Sequence, residues 1–321
     1  MKISVLAFDG CMTSAVYGLL DAFNIATHLA EQSNAIGWRG HTIGVATPSG
    51  GPVSGAGGYR IDAQASLETA SESNVVVAPP IMDDVEATLT RERGLIGWLS
   101  RLQPDPTLVA SACTGAFLLA EAGLLTDRRV TTNPRYRALF ESRYPNTSLA
   151  LEERIVEDRM VICAGATTAY LDLAIHIVDR LGGRELAVST AKVLSMDKIP
   201  GSQRPYLLFV GRRDHGDARV LGLQDWIETH HAEAFGVREM ARASGMGERN
   251  LTRRFREATR QSPMEYLRNI RMETAKRLLE TSPTSLDRVA EAVGYADTRA
   301  FIRAFGAVVG LSPGQYRRKF Q

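Results

Sequence analysis

The run LVASACTGAFLLAEAGLL, Leu108 to Leu125, holds a cysteine where a cysteine can act. A short apolar run leads into Cys113-Thr114-Gly115, and a helical apolar pattern starts at once, so Cys113 falls on a sharp strand-to-helix turn. Such a turn lifts its central side chain to the carboxyl edge of a sheet. The N–H groups of Thr114 and Gly115 could there receive an oxyanion or a ligand carboxylate. This geometry suits a nucleophile, a pocket-lining residue, a redox-sensing thiol or an inert turn residue. Ser111, Asp9 with Gly10, and Asn133 are further candidates to line the same pocket, although Ser and Asn at strand ends commonly just close local turns.

Other chemistries find less support. Cys11, Cys113 and Cys163 are an odd number without CxxC spacing, which supports neither a disulfide framework nor a zinc ribbon. Cys11 is expected near the same sheet edge as Cys113, and Cys163 reads as a small buried hydrophobe. The six histidines show no metal-ligand spacing, so no metal and no cofactor is expected. GAGGYR breaks the dinucleotide fingerprint at Arg60 and reads as a turn. Asp83 and Asp84 read as the acidic start of a helix. No run approaches the ~18 apolar residues of a membrane span, and the N-terminal apolar stretch is cut off at Asp9, so a cytoplasmic chain is expected.

Strands must alternate with helices to position that turn, and up to about residue 200 they do. ISVLAF, HTIGVAT, NVVVAP, TLVAS and MVICAG are β-rich, with helices expected from about Thr13 to Ala30 and around Val85 to Leu102 between them. Leu171, Ile175, Val178 and Leu181 form one buried helical stripe, and a further helix runs to about Met196. The fold class expected is a three-layer α/β domain with a mostly parallel sheet over residues 1–200. Residues 201–220, rich in turn and charged types, read as a linker.

Residues 221–321 differ in kind. They hold 17 Lys plus Arg against 12 Asp plus Glu, while residues 1–220 hold 21 against 24, so the positive charge is gathered at one end. All but Lys276 and Lys319 of those 17 are arginine, whose planar fork suits phosphates and guanine edges. Only helical patterns occur, and they occur twice. Ala241 and Gly245 align with Ala290 and Gly294 at an offset of 49, and Phe255, Ser262, Pro263 and Tyr266 with Phe305, Ser312, Pro313 and Tyr316 at an offset of 50. Each copy reads as helix, glycine turn, helix, which is helix-turn-helix grammar. Thr284 to Asp287 reads as a capping box, with Asp297 and Gly247 as caps of the two second helices. One helix should join the copies and let them enter successive major grooves roughly 34 Å apart. The side chains placed to reach DNA are Glu248, Arg249, Asn250, Arg253 and Arg254 in one copy, and Thr298, Arg299, Ile302 and Arg303 in the other.

NLTRRFREATRQSPMEYLRNIRMETAKRLL and GYADTRAFIRAFGAVVGLSPGQYR resemble the two units of the AraC/XylS family of bacterial transcription regulators. SACTGAFLLAEAGLLTDRRVTT, PVSGAGGYRIDA and CAGATTAYLDLAIHIV resemble the PfpI-like branch of the class I glutamine amidotransferase superfamily, over about residues 3–195. The order of the two parts resembles the GlxA-type regulators. The resemblance implies a flavodoxin-like, PfpI-like sensor domain followed by an all-α double helix-turn-helix domain. The partners it implies are double-stranded promoter DNA, a small amino-acid-like or amine effector, and a second copy in a homodimer, with no membrane. Hydrolytic relatives pair the cysteine with a histidine and some with an acid. Here Thr114 follows Cys113, Asn133 stands at the histidine position of TTNPRY, and Cys11 to Ser14 occupy the acidic position. A thiol without a general base lacks the proton transfer that amide or ester hydrolysis needs, so the expected function is a non-catalytic metabolite sensor. A cysteine-dependent hydrolase or deglycase fused to a DNA-binding domain, and a thiol-redox regulator, are the alternatives.

Overall fold

The computed structural model describes residues 1–33, 38, 41–102, 106–196 and 202–321, which divide into two compact units, Met1–Gln203 and Arg204–Gln321. The first unit is built on a sheet whose central strands are β1 (Lys2–Leu6), β2 (Thr42–Thr47), β6 (Val75–Ala78), β7 (Leu108–Ala112) and β11 (Val161–Ala164). VVVA, LVASA and VICA are buried at every position, as parallel strands covered on both faces must be. Between them run β3 (Val53–Ser54), β4 (Arg60–Ile61), β5 (Ala65–Ser66), β8 (Arg129–Val130), β9 (Ser148–Leu149) and β10 (Ile155–Asp158). The seven-stranded order is β10-β11-β7-β6-β1-β2-β5, parallel except for β10 against β11. Counted among the central parallel strands alone, this is the flavodoxin-like order, whose chain reversal lies between β1 and β6.

The helices of this unit are α1 (Thr13–Ser33), α2 (Leu67–Ala70), α3 (Val85–Arg91), α4 (Arg93–Leu99), α5 (Ala116–Glu121), α6 (Arg137–Arg143), α7 (Tyr170–Gly182) and α8 (Arg184–Val193). Helices α1, α7 and α8 pack together, and α3 and α4 pack with α5, which gives the layered arrangement. The single helix expected over Val85 to Leu102 is two. Glu92 breaks it, with φ −88° and ψ 28°, and turns its carboxylate inward beside Arg91. Asp84 caps α3 by accepting from the N–H of Ala87, and GAGGYR is a turn with Gly57 and Gly58 at positive φ.

The second unit contains α9 (Ala218–His230), α10 (Val237–Ser244), α11 (Glu248–Thr259), α12 (Pro263–Thr281), α13 (Leu286–Ala292), α14 (Thr298–Val309) and α15 (Pro313–Phe320). The duplication reappears as two apolar clusters. Leu251, Phe255 and Tyr266 fill one and Phe301, Phe305 and Tyr316 the other, at equivalent positions of the repeat. Tyr266 donates its hydroxyl to Glu228 and Tyr316 donates to Glu280, both at 2.6 Å. Ser262 with Glu265, and Ser312 with Gln315, form matching capping boxes with proline at the first helical position. Gly245 (φ 63°) and Gly294 (φ 78°) make the turns. At Gly294 a Cβ would also lie 2.9 Å from the carbonyl oxygens of His231 and Ala232, so backbone approach adds to the demand for glycine.

Two expectations change. The cap of α13 is Ser285, which accepts from the N–H of Arg288, and no capping box forms at Thr284. Asp287 instead receives the hydroxyl of Thr298 at 2.6 Å. The 201–220 segment is also not one linker. Residues 197–201, which include the expected 200/201 boundary, lie outside the described residues. Ser202 and Gln203 belong to the first unit. From Arg204 the chain packs on the second, where the Phe209 ring meets Tyr266 at 5.3 Å and Lys276 donates to the Leu207 carbonyl at 2.5 Å. Helix α9 begins at Ala218, ahead of the expected residue 221.

Candidate functional site

Cys113 has φ 56°, left-handed for a residue with a Cβ, and opens a turn of 3-10 helix that leads into α5. Strain of this kind persists where the surroundings hold it, and three contacts do so. The hydroxyl of Thr132 donates to the Cys113 carbonyl at 2.8 Å. Asn133 Nδ2 donates to Cys113 Sγ at 3.2 Å, and the hydroxyl of Thr114 donates to the Ile81 carbonyl at 2.7 Å. The Cys113 side chain is almost wholly buried, and Asn133 reaches on to Thr167 Oγ1 at 3.5 Å.

The residues expected to line a pocket are therefore used differently. Cys113 and Asn133 touch. Thr114 is turned away to Ile81 and buried. Asp9 accepts from the Ser54 N–H at 2.8 Å through Oδ1, and Gly10 donates to the Ser54 carbonyl, so both are pinned to β3. Asp9 and Gly10 nevertheless follow β1, and Ile81 follows β6, which places this edge at the carboxyl ends flanking the chain reversal, where open α/β sheets take their ligands. Thr131, Thr132 and Thr167 were not singled out from the sequence; no spacing signature marks them.

The other thiols are set aside by burial, which pushes both Cys11 and Cys163 up to about 11. Cys11 pairs with Ile81 in an isolated bridge, and Ser111 donates its hydroxyl to Cys163 Sγ at 3.3 Å. The histidines of this unit are engaged elsewhere: His28 with Gln32, His41 against the Trp38 ring at 4.7 Å and a 42° tilt, and His176 with Glu157. Among the described residues no group of His, Cys, Asp or Glu is placed to hold a metal ion, and no helix is long and apolar enough to cross a membrane.

In the helical unit, α11 and α14 each bury one face and expose the other. Glu248, Arg249, Asn250 and Arg253 are exposed on α11, and Arg253 is held by Glu257 at 2.9 Å and by Asn250 at 3.2 Å. Arg254 points elsewhere, its Nε donating to Asp217, the cap of α9. On α14, Arg299 and Arg303 are exposed, Thr298 is tied to Asp287, and Ile302 packs half-buried on the second cluster. Among the described residues no hydrogen bond or ion pair holds the side chain of Arg249, Arg299 or Arg303.

Asp217 thus serves two helices, accepting from the N–H groups of Arg219 and Val220 with one oxygen and from Arg254 with the other. Asp217→Ala should cost the helical unit ~0.5–2 kcal/mol, read from its thermal unfolding. The Arg254 hydrogen bond holds the Asp217 carboxyl below its usual range. Its contribution is therefore complete above the unfolded-chain value of about 3.9 and lost as pH falls through the lower folded value, a loss the variant should not show.

Residues 1–180 match the family model described as DJ-1/PfpI family. The chain belongs to the DJ-1/PfpI family. Residues 240–319 match a second model, described as a helix-turn-helix domain, and cover both helix pairs from α10's Met240 onward. Over its length the chain is similar to the HTH-type transcriptional regulator CdhR of Pseudomonas aeruginosa, at 25% identity covering 90% of this chain and 84% of that protein. It is also similar to the HTH-type transcriptional regulator GlxA of Rhizobium meliloti, at 27% identity over 85% and 83% of the two chains. The fold of the α/β unit is that of a crystal structure titled a putative transcriptional regulator protein from Vibrio parahaemolyticus, with a TM-score of 0.53 at 22% identity, over 60% of this chain and 98% of that one.

Proposed function

We propose that this DJ-1/PfpI-family chain is a transcription regulator whose helical unit reads promoter DNA through α11 and α14, and whose α/β unit takes a small polar effector at the Cys113 elbow without turning it over. The observation that carries the DNA reading is the duplicated helix-turn-helix, with Arg249 on one second helix and Arg299 and Arg303 on the other left free on the exposed face. Arg254 is assigned to the scaffold through Asp217, and Arg253 is a partly satisfied side chain that must leave Glu257 to reach a base. The Asn133 amide beside Cys113 favours binding over turnover, because an amide donates a hydrogen bond but accepts no proton as a general base. The homodimer and the amino-acid-like or amine effector implied by the resemblance belong to this reading.

Selection of duplexes from a random library by the full-length protein tests it, with Arg299→Ala and Arg303→Ala run beside the parent. A guanine contact predicts a loss of ~1–3 kcal/mol and relaxed preference at one base pair, whereas a phosphate contact predicts uniform weakening. If the parent enriches no sequence, the reading is wrong.

A further inference from the structure

Gln203 is the last residue of the α/β unit, and Arg204 the first of the helical one. Its side chain is 1% exposed, an unusual depth for glutamine. Nε2 donates to the carbonyl of Leu151 and, at 3.3 Å, to the hydroxyl of Thr131, while the Gln203 N–H donates to the Glu152 carbonyl at 2.9 Å. Gly165, just past β11, makes the room: a Cβ there would stand 2.5 Å from Nε2 and 2.7 Å from Oε1. The seat is imperfect. Oε1 has no hydrogen-bond partner among the described residues, and an unmet buried acceptor carries a desolvation cost that hydration would relieve on release.

The seat and the elbow are made from one stretch of chain. Thr131 holds Gln203, Thr132 holds the Cys113 carbonyl and Asn133 holds the Cys113 thiol. Thr131 and Thr132 are fully buried, so neither hydroxyl can exchange its partner for water without the run shifting. We propose that Gln203 is a latch, and that an occupant of the Cys113 elbow, by taking the Asn133 amide, loosens the 131–133 run and so unseats the residue from which the DNA-reading unit continues. This rests on the elbow being the effector site. It adds a route by which occupancy leaves the α/β unit.

Alkylation of the full-length protein with iodoacetamide, resolved cysteine by cysteine by peptide mass, tests the latch without knowledge of the effector. Each thiolate displaces iodide and forms a thioether, at a rate that for a buried thiol follows its local opening. Gln203→Ala removes the latch and Gly165→Ala fills its seat, so both should speed modification of Cys113 by about fivefold or more, leaving Cys11, which is bridged to Ile81 rather than to the 131–133 run, unchanged. In the reverse direction, the parent protein carrying the modification at Cys113 should exchange the Gln203 N–H hydrogen faster by a similar factor. An unchanged Cys113 rate, a Cys11 rate that rises in step with it, or unchanged exchange at Gln203 would each overturn the proposal. The effector reading fails separately, if no metabolite slows alkylation of Cys113 in the parent.

Discussion

Arg154→Met is expected to destabilise the α/β unit by ~3–5 kcal/mol at neutral pH, and to do so less in acid. Arg154 stands before β10 and donates through Nε to Asp172 in the first turn of α7, where the side chains are 13% and 2% exposed. Burial already holds the Asp172 carboxyl above its usual range, against the opposing pull of Arg154. Removing the guanidinium leaves a buried carboxylate whose remaining compensation is the amino end of α7. The sign follows from the raised folded value: ionisation costs the folded state fully above it, and protonation relieves that cost as pH falls toward the unfolded value of about 3.9. Urea unfolding at pH 7.5 and 5.5 should therefore give a smaller loss at the lower pH. Asp172→Leu added to Arg154→Met should recover most of it, because an apolar pair tolerates the site that a lone charge does not. A loss independent of pH, or unrecovered in the double variant, would place the role of Arg154 in packing.

The parts of this fold legible in the sequence are those whose pattern is local. NVVVAP and TLVAS announce buried parallel strands by continuous apolar character, and the helix-turn-helix pair announces itself by repetition of Gly, Phe and Ser-Pro. Strand β10 lacks a sequence signal because IVED is an edge strand with one residue of four fully buried, and strands of two residues such as β8 and β9 have no period to read. Thr284-Ser-Leu-Asp287 fits the capping-box pattern, but the carboxylate is drawn off to Thr298, eleven residues along the chain. The site divides in the same way. The Cys113 turn is local and visible, and Asn133 stands out as a polar residue at a strand end, a position the family resemblance also marks. The contact of Gln203 with Thr131 spans 72 residues and leaves no spacing to find. An arginine on an exposed helix face looks the same in sequence whether it faces DNA, as Arg299 can, or an aspartate of another helix, as Arg254 does.

The glycine after Thr114 is the second position with a large expected effect. Gly115 has φ −58° and ψ −23°, ordinary helical values, so its need for glycine is one of space alone. A Cβ there would stand 2.6 Å from both the Ala78 and Pro79 carbonyl oxygens at the end of β6. Neither neighbour is a flexible side-chain tip that could swing aside; relief requires moving the end of a central strand or the elbow itself. Gly115→Ala should therefore cost at least the upper end of the ~1–3 kcal/mol typical of overpacking, and it should displace Cys113 from Asn133. Gly97→Ala is the matched control, since Gly97 lies inside α4 at a conformation open to any residue with nothing within 4 Å of its Cβ position. There the same methyl should stabilise by ~0.5–1 kcal/mol through helix propensity and the reduced freedom of the unfolded chain. Opposite shifts in melting temperature for one chemical change would establish that the elbow is held against β6 by close backbone contact. If Gly115→Ala melts with the parent and leaves Cys113 as slow to alkylate, the turn has slack, and the strained Cys113 conformation is held by the Thr132, Asn133 and Thr114 hydrogen bonds alone.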